Sequence, residues 1–416
     1  MPAAEGSADR SRGSLTSRRL RVLPMRPRDI DEKHRASTPL ELLFDLSFVV
    51  AVSQAADQLN AALGAGHFHT AIVSYLLVFF AIWWAWVNFT WFASAYDVDD
   101  LLYRLLTFVQ IIGVLILASG VDSAFTAGNF TVMTIGYVVM RIAMVAQWLR
   151  AATGDPAARP AALRYAACIS ILQVGWVVRL FLPQPEALWF FYVLGVGEML
   201  VPSYAERAAH GGGTPWHPGH IAERYGLFTL IVLGECIAAV TVALHSASLA
   251  HGISAGLVAV VAGAVLLVFA IWWWYFENPA EEGLRLSRQL AFIWGYGHYF
   301  VLGSLGALGA GLQLAAAASH GSPSSTTATT AGLAVAVPVA AYLVVTGVLQ
   351  GRLGPHWAGR LPVVGAASVV ILVIGGIAAE LGVGVATLLM GLVVAALVAA
   401  DELRRDLRRE PDVATS

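Results

Sequence analysis

Glu41 and Asp45 stand four residues apart in an otherwise apolar stretch, and on a helix that spacing puts both carboxylates on one face, one turn apart. Two like charges that close need an arginine or a cation between them, or a headgroup region that solvates both. Glu235 lies twelve residues beyond Glu223 in another apolar run, about 18 Å along a helix axis. A carboxyl at that depth is neutral, paired or facing water, and Arg141 and His298 are its candidate partners. His217-Pro218-Gly219-His220-Ile221-Ala222-Glu223 offers three potential ligands at three-residue steps, a spacing that a metal could use. Pro218-Gly219 favours a turn and no fourth ligand follows, so the expectation is a helix-entry loop with a pairing His220 and no metal. Asp97, Asp99 and Asp100 form an acidic cluster, read as a solvated loop or a clamp on Arg104 and Arg288. No phosphate loop, nucleophile elbow or zinc-protease signature is present, and neither a catalytic residue nor a cofactor is expected.

The elements that must position these groups follow from composition. The 416 residues are 58% hydrophobic and 12% charged, against roughly 45–50% apolar and about 25% charged in a soluble domain. Too few charges exist to cover a soluble surface of this size, so the partner is a lipid bilayer and the fold class is all-α, a polytopic transmembrane helix bundle. With roughly 20 apolar residues per crossing, about twelve spans result. The first six are Leu40–Leu59, Phe68–Phe92, Leu101–Val121, Asn129–Leu149, Ala161–Leu182 and Ala187–Tyr204; the second six are Ile221–Leu244, Ile253–Phe276, Leu290–Leu314, Ala331–Leu349, Leu361–Ala379 and Leu381–Leu403.

Loop charge sets the orientation, because Lys and Arg accumulate on the cytoplasmic side. Alternate loops carry Arg150, Arg159, Arg164, Arg207, Arg285, Arg352 and Arg360, whereas Asp122–Gly128, Ser246–Gly252 and Ala315–Thr330 hold no Lys or Arg. Both termini are therefore expected in the cytoplasm: 1–37 as a disordered basic tail, which is not a nucleic-acid domain, and 404–416 as a second basic tail. On that orientation Arg104, Arg141, Glu198, Glu223, Glu277 and His298 fall on the cytoplasmic side with Glu41 and Asp45, predicting a polar vestibule open to the cytoplasm. The tryptophans, among them Trp83, Trp84, Trp86 and Trp272 to Trp274, are mostly assigned to an aromatic belt. Cys168 and Cys236, both within apolar runs, are expected as free buried thiols.

Phe80-Ala81-Ile82-Trp83-Trp84-Ala85-Trp86 recurs as Phe269-Ala270-Ile271-Trp272-Trp273-Trp274-Tyr275, with Arg104 and Phe108 opposite Arg288 and Phe292. About six helices separate equivalent positions, which predicts two parallel six-helix repeats, 38–204 and 221–403, joined by a cytoplasmic linker, 205–220.

Thr38-Pro39-Leu40-Glu41-Leu42-Leu43-Phe44-Asp45-Leu46-Ser47-Phe48, Tyr96-Asp97-Val98-Asp99-Asp100 with Arg104, His220-Ile221-Ala222-Glu223-Arg224-Tyr225-Gly226-Leu227-Phe228 running to Leu233-Gly234-Glu235, and Tyr296-Gly297-His298 resemble, in that order, the bacterial low temperature requirement A family. That resemblance implies a multi-pass protein of the bacterial inner membrane and assigns no reaction or substrate. The first of these stretches is also similar to the first-helix Phe-Ser-Asp signature of a potassium-channel family built from six-helix units, without its intervening serine.

Three functional readings follow. Duplicated halves and buried acids favour a carrier or channel for a small solute or ion, with Glu41, Asp45, Arg104, Arg141, Glu198, His220, Glu223, Glu235, Glu277 and His298 as pathway candidates. The alternatives are a non-catalytic sensor or scaffold supporting growth in the cold, and a membrane-embedded lipid-modifying enzyme. Oligomeric state is not legible.

Overall fold

The computed structural model describes residues 22–29, 32, 35–207, 213–277, 280–319, 328–353 and 360–409. All regular structure among them is helical, as expected where backbone N–H and C=O groups must be satisfied inside each segment away from water. The first helices are α1 (Pro39–Gly64), α2 (Phe68–Ala95), α3 (Leu101–Ser119), the short α4 (Val121–Ala127), α5 (Thr131–Gly154), α6 (Arg159–Arg179) and α7 (Glu186–Glu206). They are followed by α8 (Pro218–His251), α9 (Ala255–Phe276), the short α10 (Glu281–Leu286), α11 (Arg288–Ala318), α12 (Ala328–Leu353), α13 (Leu361–Gly376), α14 (Ala378–Leu381) and α15 (Val383–Arg409).

Among the described residues, 11 helices are long and apolar enough to cross a membrane, against about twelve expected spans. The difference is α13. Its 16 residues reach about 24 Å, short of a hydrocarbon core of about 30 Å, because the helix breaks at Ile377 before α14 resumes it.

The chain divides into two compact units, Met1–Ala51 with Trp84–Arg224, and Val52–Trp83 with Tyr225–Ser416. The division cuts through α1, α2 and α8 instead of falling in the 205–220 linker.

In the first unit, α3 lies against α5 with glycines where their backbones cross. A Cβ on Gly136 would come within 2.4 Å of Leu117 N, and one on Gly113 within 2.7 Å of Gly136 O. Small residues let helices in lipid approach until van der Waals packing and interhelical hydrogen bonds hold them; here Gln110 Nε2 donates to Gln147 Oε1 at 3.0 Å. Consecutive helices α5, α6 and α7 then pack side by side.

The second unit centres on α11, the most buried candidate span. Tyr75 reaches its backbone, donating to Gly303 O at 2.7 Å. The α9–α15 pair has a glycine seam of its own, where a Cβ on Gly384 would sit 2.4 Å from Gly256 O and one on Gly391 2.9 Å from Gly263 O.

Most of the expected basic tail, including Arg10, Arg12, Arg18, Arg19, Arg21 and Lys33, lies outside the described residues. Its end is not a loose tail. Met25 is fully buried, Leu23 N donates to Asp100 Oδ2 at 2.7 Å, and Arg150 Nη2 donates to Leu23 O at 2.7 Å. At the other terminus α15 continues past residue 404 to Arg409, held by Arg405 on Asp401 and Glu277 at 3.1 and 2.9 Å. Cys236 is buried as expected, with Sγ donating to Leu305 O at 3.1 Å, while Cys168 is half-exposed.

Candidate functional site

Thr38-Pro39-Leu40-Glu41 starts α1 as a capping box. Thr38 N donates to Glu41 Oε2 at 2.7 Å, Glu41 N donates to Thr38 Oγ1 at 3.3 Å, and Pro39 occupies the first helical position, where no N–H is needed. The cap fixes the direction of Glu41, and Asp45 follows one turn later on the same face. The start of α8 is built similarly. His217 Nδ1 accepts from His220 N at 3.1 Å, so its Nε2 carries the proton donated to Glu32 O at 2.9 Å. Pro218-Gly219, expected as a turn, instead forms the first helical positions, where the missing proline N–H costs nothing, and His220 and Arg224 share a face four residues apart. A third ladder runs down α2 through Trp86, Thr90 and Ser94 at the same four-residue step.

These three ladders meet in the first unit. Arg224 forms a forked pair with Asp45, Nε to Oδ2 at 2.8 Å and Nη2 to Oδ1 at 2.6 Å, and its Nη1 lies 3.2 Å from Glu41 Oε1. His220 Nε2 stands 3.2 Å from the same Glu41 oxygen. Trp86 Nε1 donates to Asp45 Oδ1 at 2.7 Å, Arg224 Nη2 to Thr90 Oγ1 at 3.4 Å, and His217 N to Ser94 Oγ at 3.0 Å. Arg35 closes the end of α2, donating to Ala93 O at 2.6 Å and to Ser94 O, and reaches Glu41 at 3.9 Å. Glu41, Asp45, Arg224 and His220 are at most 1% exposed. Two arginines thus face two carboxylates out of water, an arrangement in which paired geometry offsets the cost of burial.

A second buried cluster lies in the same unit. Glu198 accepts from Arg141 Nη2 at 3.1 Å, Trp84 Nε1 at 2.9 Å, Trp176 Nε1 at 3.2 Å and Tyr137 OH at 3.4 Å. Arg141 is therefore the partner of Glu198 and not of Glu235.

The remaining candidates are apart from both clusters. Arg104 grips Asp99 through Nε and Nη2 at 2.8 and 2.9 Å, and Glu223 accepts from Ser37 N at 3.1 Å. Glu277 pairs with Arg405. His298 lies between Trp294 O at 2.8 Å, which must accept, and Tyr275 OH at 2.9 Å, so it too is not paired with Glu235. Glu235 is half-buried and makes no hydrogen bond or ion pair among the described residues. The ten candidates are thus distributed over separate local groupings, and among the described residues Glu235 is left without a partner in any of them. Among the described residues no His, Cys, Asp or Glu group is arranged to hold a metal.

The acidic cluster behaves as a clamp at Asp99 on Arg104, and at Asp100 on Arg150, whose Nη1 lies at 3.1 Å. Burial alone would push the Asp100 carboxyl up, but hydrogen bonds from Arg150, Leu23 N and Tyr103 N outweigh it and hold the group below its ordinary value. Asp97, between α2 and α3, goes the other way: burial first, then the Glu41 carboxylate, push it up to about 6 against the pull of Arg35 and Arg28. The native state keeps a proton that the unfolded chain releases near the ordinary value of 3.8, so this group destabilises the fold increasingly as pH rises from about 4 to about 6, by roughly 3 kcal/mol at most. Asp97→Asn is expected to raise the melting temperature of the detergent-solubilised protein at pH 7 and to lose that advantage near pH 4. An equal shift at both pH values would show that Asp97 does not titrate in this window.

Arg35 and Arg224 were not singled out by sequence reasoning as site residues, and His217 was considered only as a metal ligand. The capping box and the four-residue His220–Arg224 step were available signals. The buried tryptophans correct the aromatic-belt expectation: Trp83, Trp84 and Trp86 are at most 1% exposed, and the indole N–H groups of the last two serve buried carboxylates, a use for which Trp suits a dry site. Trp272 and Trp273 are 45% and 49% exposed, compatible with a belt.

A curated protein of Rhizobium meliloti (strain 1021), named Uncharacterized protein RA0937, is 27% identical over 288 residues, covering 66% of this chain and 68% of that protein. Residues 36–400 match the family described as bacterial low temperature requirement A protein. That match begins two residues before the α1 capping box and takes in both buried clusters except Arg35, and the chain belongs to the bacterial low temperature requirement A (LtrA) family.

Proposed function

We propose that the protein is a carrier or channel for a small solute or ion, with twelve spans arranged as two parallel six-helix repeats and both termini in the cytoplasm of the bacterial inner membrane. The repeat reading is supported by Trp84 and Trp273, equivalent positions of the recurring Phe-Ala-Ile-Trp-Trp motif. Each donates its indole N–H to a carboxylate on the last long helix of its own half, Trp84 to Glu198 on α7 at 2.9 Å and Trp273 to Glu402 on α15 at 3.2 Å. For the twelfth crossing, α13 and α14 together run from Leu361 to Leu381, about 30 Å of nearly continuous helix.

The observation that carries the transport reading is Glu235. Glu41, Asp45 and Glu198 are each held by an arginine, whereas Glu235, close to the middle of α8, has no such partner among the described residues. An acid in a span costs about 2.5–3.5 kcal/mol on insertion scales, and such groups mark ion or proton pathways when no protein group neutralises them. The test is flux into proteoliposomes, read with an entrapped pH dye under an imposed potassium gradient. Wild-type protein is expected to exceed protein-free vesicles, and Glu235→Gln to lower the flux at least tenfold while leaving abundance and melting temperature unchanged. Flux that survives in the glutamine variant would remove the reading.

The closed Arg224 network favours a second reading, a non-catalytic sensor or scaffold, because its charges are already matched within the protein. On that reading the wild-type vesicles show no flux above protein-free ones.

A further inference from the structure

We propose that a groove between α5 and α6 binds a long-chain carboxylic acid from the membrane. The groove encloses about 410 Å³ and is lined by Arg141, Ile142, Ser170, Gln173, Val174 and Val178 among others, a size typical of small-molecule sites. Ile142, Val174 and Val178 are 65%, 64% and 45% exposed, so in a bilayer its rim meets acyl chains.

Polar atoms lie beneath this apolar lining. Gln173 is nine-tenths buried, yet among the described residues neither its Nε2 nor its Oε1 has a hydrogen-bond partner, and the same holds for Arg141 Nε. Arg141 has committed Nη2 to Glu198 and Tyr137, and Ser170 Oγ donates to Ala166 O at 2.8 Å. Gln173 Nε2, Gln173 Oε1 and Arg141 Nε are thus buried without partners among the described residues, two donors and one acceptor, and hydrocarbon can satisfy none of them.

A carboxylic acid in its neutral form complements this set. Its O–H donates to Gln173 Oε1 while its carbonyl oxygen accepts from Gln173 Nε2, closing the two-bond ring that a primary amide forms with a carboxyl group. The second lone pair of that oxygen is left for Arg141 Nε–H. An ester lacks the donor. An alcohol offers one oxygen where the amide presents two separated atoms. The alkyl chain then lies along the Val174 and Val178 rim, so head and tail both find matched surroundings. Because Glu198 already balances Arg141, the site needs no net charge from the ligand.

The test uses the full-length protein in detergent with a diazirine-bearing palmitic acid, photolysed and mapped by peptide mass spectrometry. Labelling is expected on the α5 and α6 peptides, and palmitic acid is expected to compete at least tenfold better than methyl palmitate or hexadecanol. Gln173→Leu should reduce labelling at least tenfold. Val174→Trp, placed on an exposed side chain so that the fold is kept, should do the same by filling the groove, with an unchanged melting temperature. Labelling elsewhere in the chain, equal competition by the ester or the alcohol, or labelling that survives Val174→Trp would overturn the assignment.

Discussion

Arg224→Met is expected to reduce the amount of folded protein severalfold and to lower its melting temperature more than any single change at an exposed position. The arginine is fully buried and supplies the forked pair to Asp45 together with the nearest cationic contact to Glu41. Its removal leaves Glu41 with Arg35 at 3.9 Å as its arginine and Asp45 with the Trp86 N–H but no arginine among the described residues. Breaking a buried pair by deleting one partner costs about 3–5 kcal/mol, chiefly because the other charge is stranded. The cost should shrink when the stranded charge is also removed. Adding Asp45→Asn to Arg224→Met leaves one arginine, Arg35, against one carboxylate, Glu41, and the double variant is expected to melt above the Arg224→Met single variant. Thermal melts of the three variants in one detergent decide the matter. A double variant no more stable than the single one would show that the pair is not coupled.

Glu198→Leu is expected to be similarly damaging, for a different balance of reasons. One carboxylate accepts from Arg141, Trp84, Trp176 and Tyr137. Leucine leaves the guanidinium uncompensated and two indole N–H groups without their acceptor, and each unsatisfied buried donor adds about 1–3 kcal/mol. Glu198→Gln keeps one acceptor oxygen, enough for one of the two tryptophans because Trp84 uses Oε2 and Trp176 uses Oε1, and it removes the charge opposite Arg141, so its melting temperature should fall between those of wild type and Glu198→Leu. The order wild type, glutamine, leucine is the expected result. Equal loss in both variants would mean that charge alone matters and the tryptophan bonds contribute nothing measurable.

The two clusters differ in how much of them could be read beforehand. Glu41, Asp45 and His220 were legible because four-residue spacing and helix-start chemistry are local properties, and local geometry follows from backbone periodicity. Glu198 and Arg141 were legible as candidates but not as a pair: 57 residues separate them, and nothing in sequence distance says which of several buried acids an arginine on α5 will meet. The same limit assigned Arg141 and His298 to Glu235. Both found nearer partners, Glu198 for one and Tyr275 with the Trp294 carbonyl for the other.

Composition and periodicity by themselves determined that this is a helical membrane protein and where most of its helices begin and end. These properties depend on the solvent and on neighbours within a turn, so each segment carries its own information. Only the tertiary structure decided that Arg35, from the end of an expected disordered tail, caps α2 beside Glu41, that Arg224 neutralises Asp45, and that the tryptophans of α2 turn inward to buried carboxylates. A buried charge is stabilised by whichever opposite group the packing of helices brings within about 3–4 Å. That packing is set by where glycines such as Gly113 and Gly136 let backbones approach, a property of two helices together that neither sequence segment contains alone.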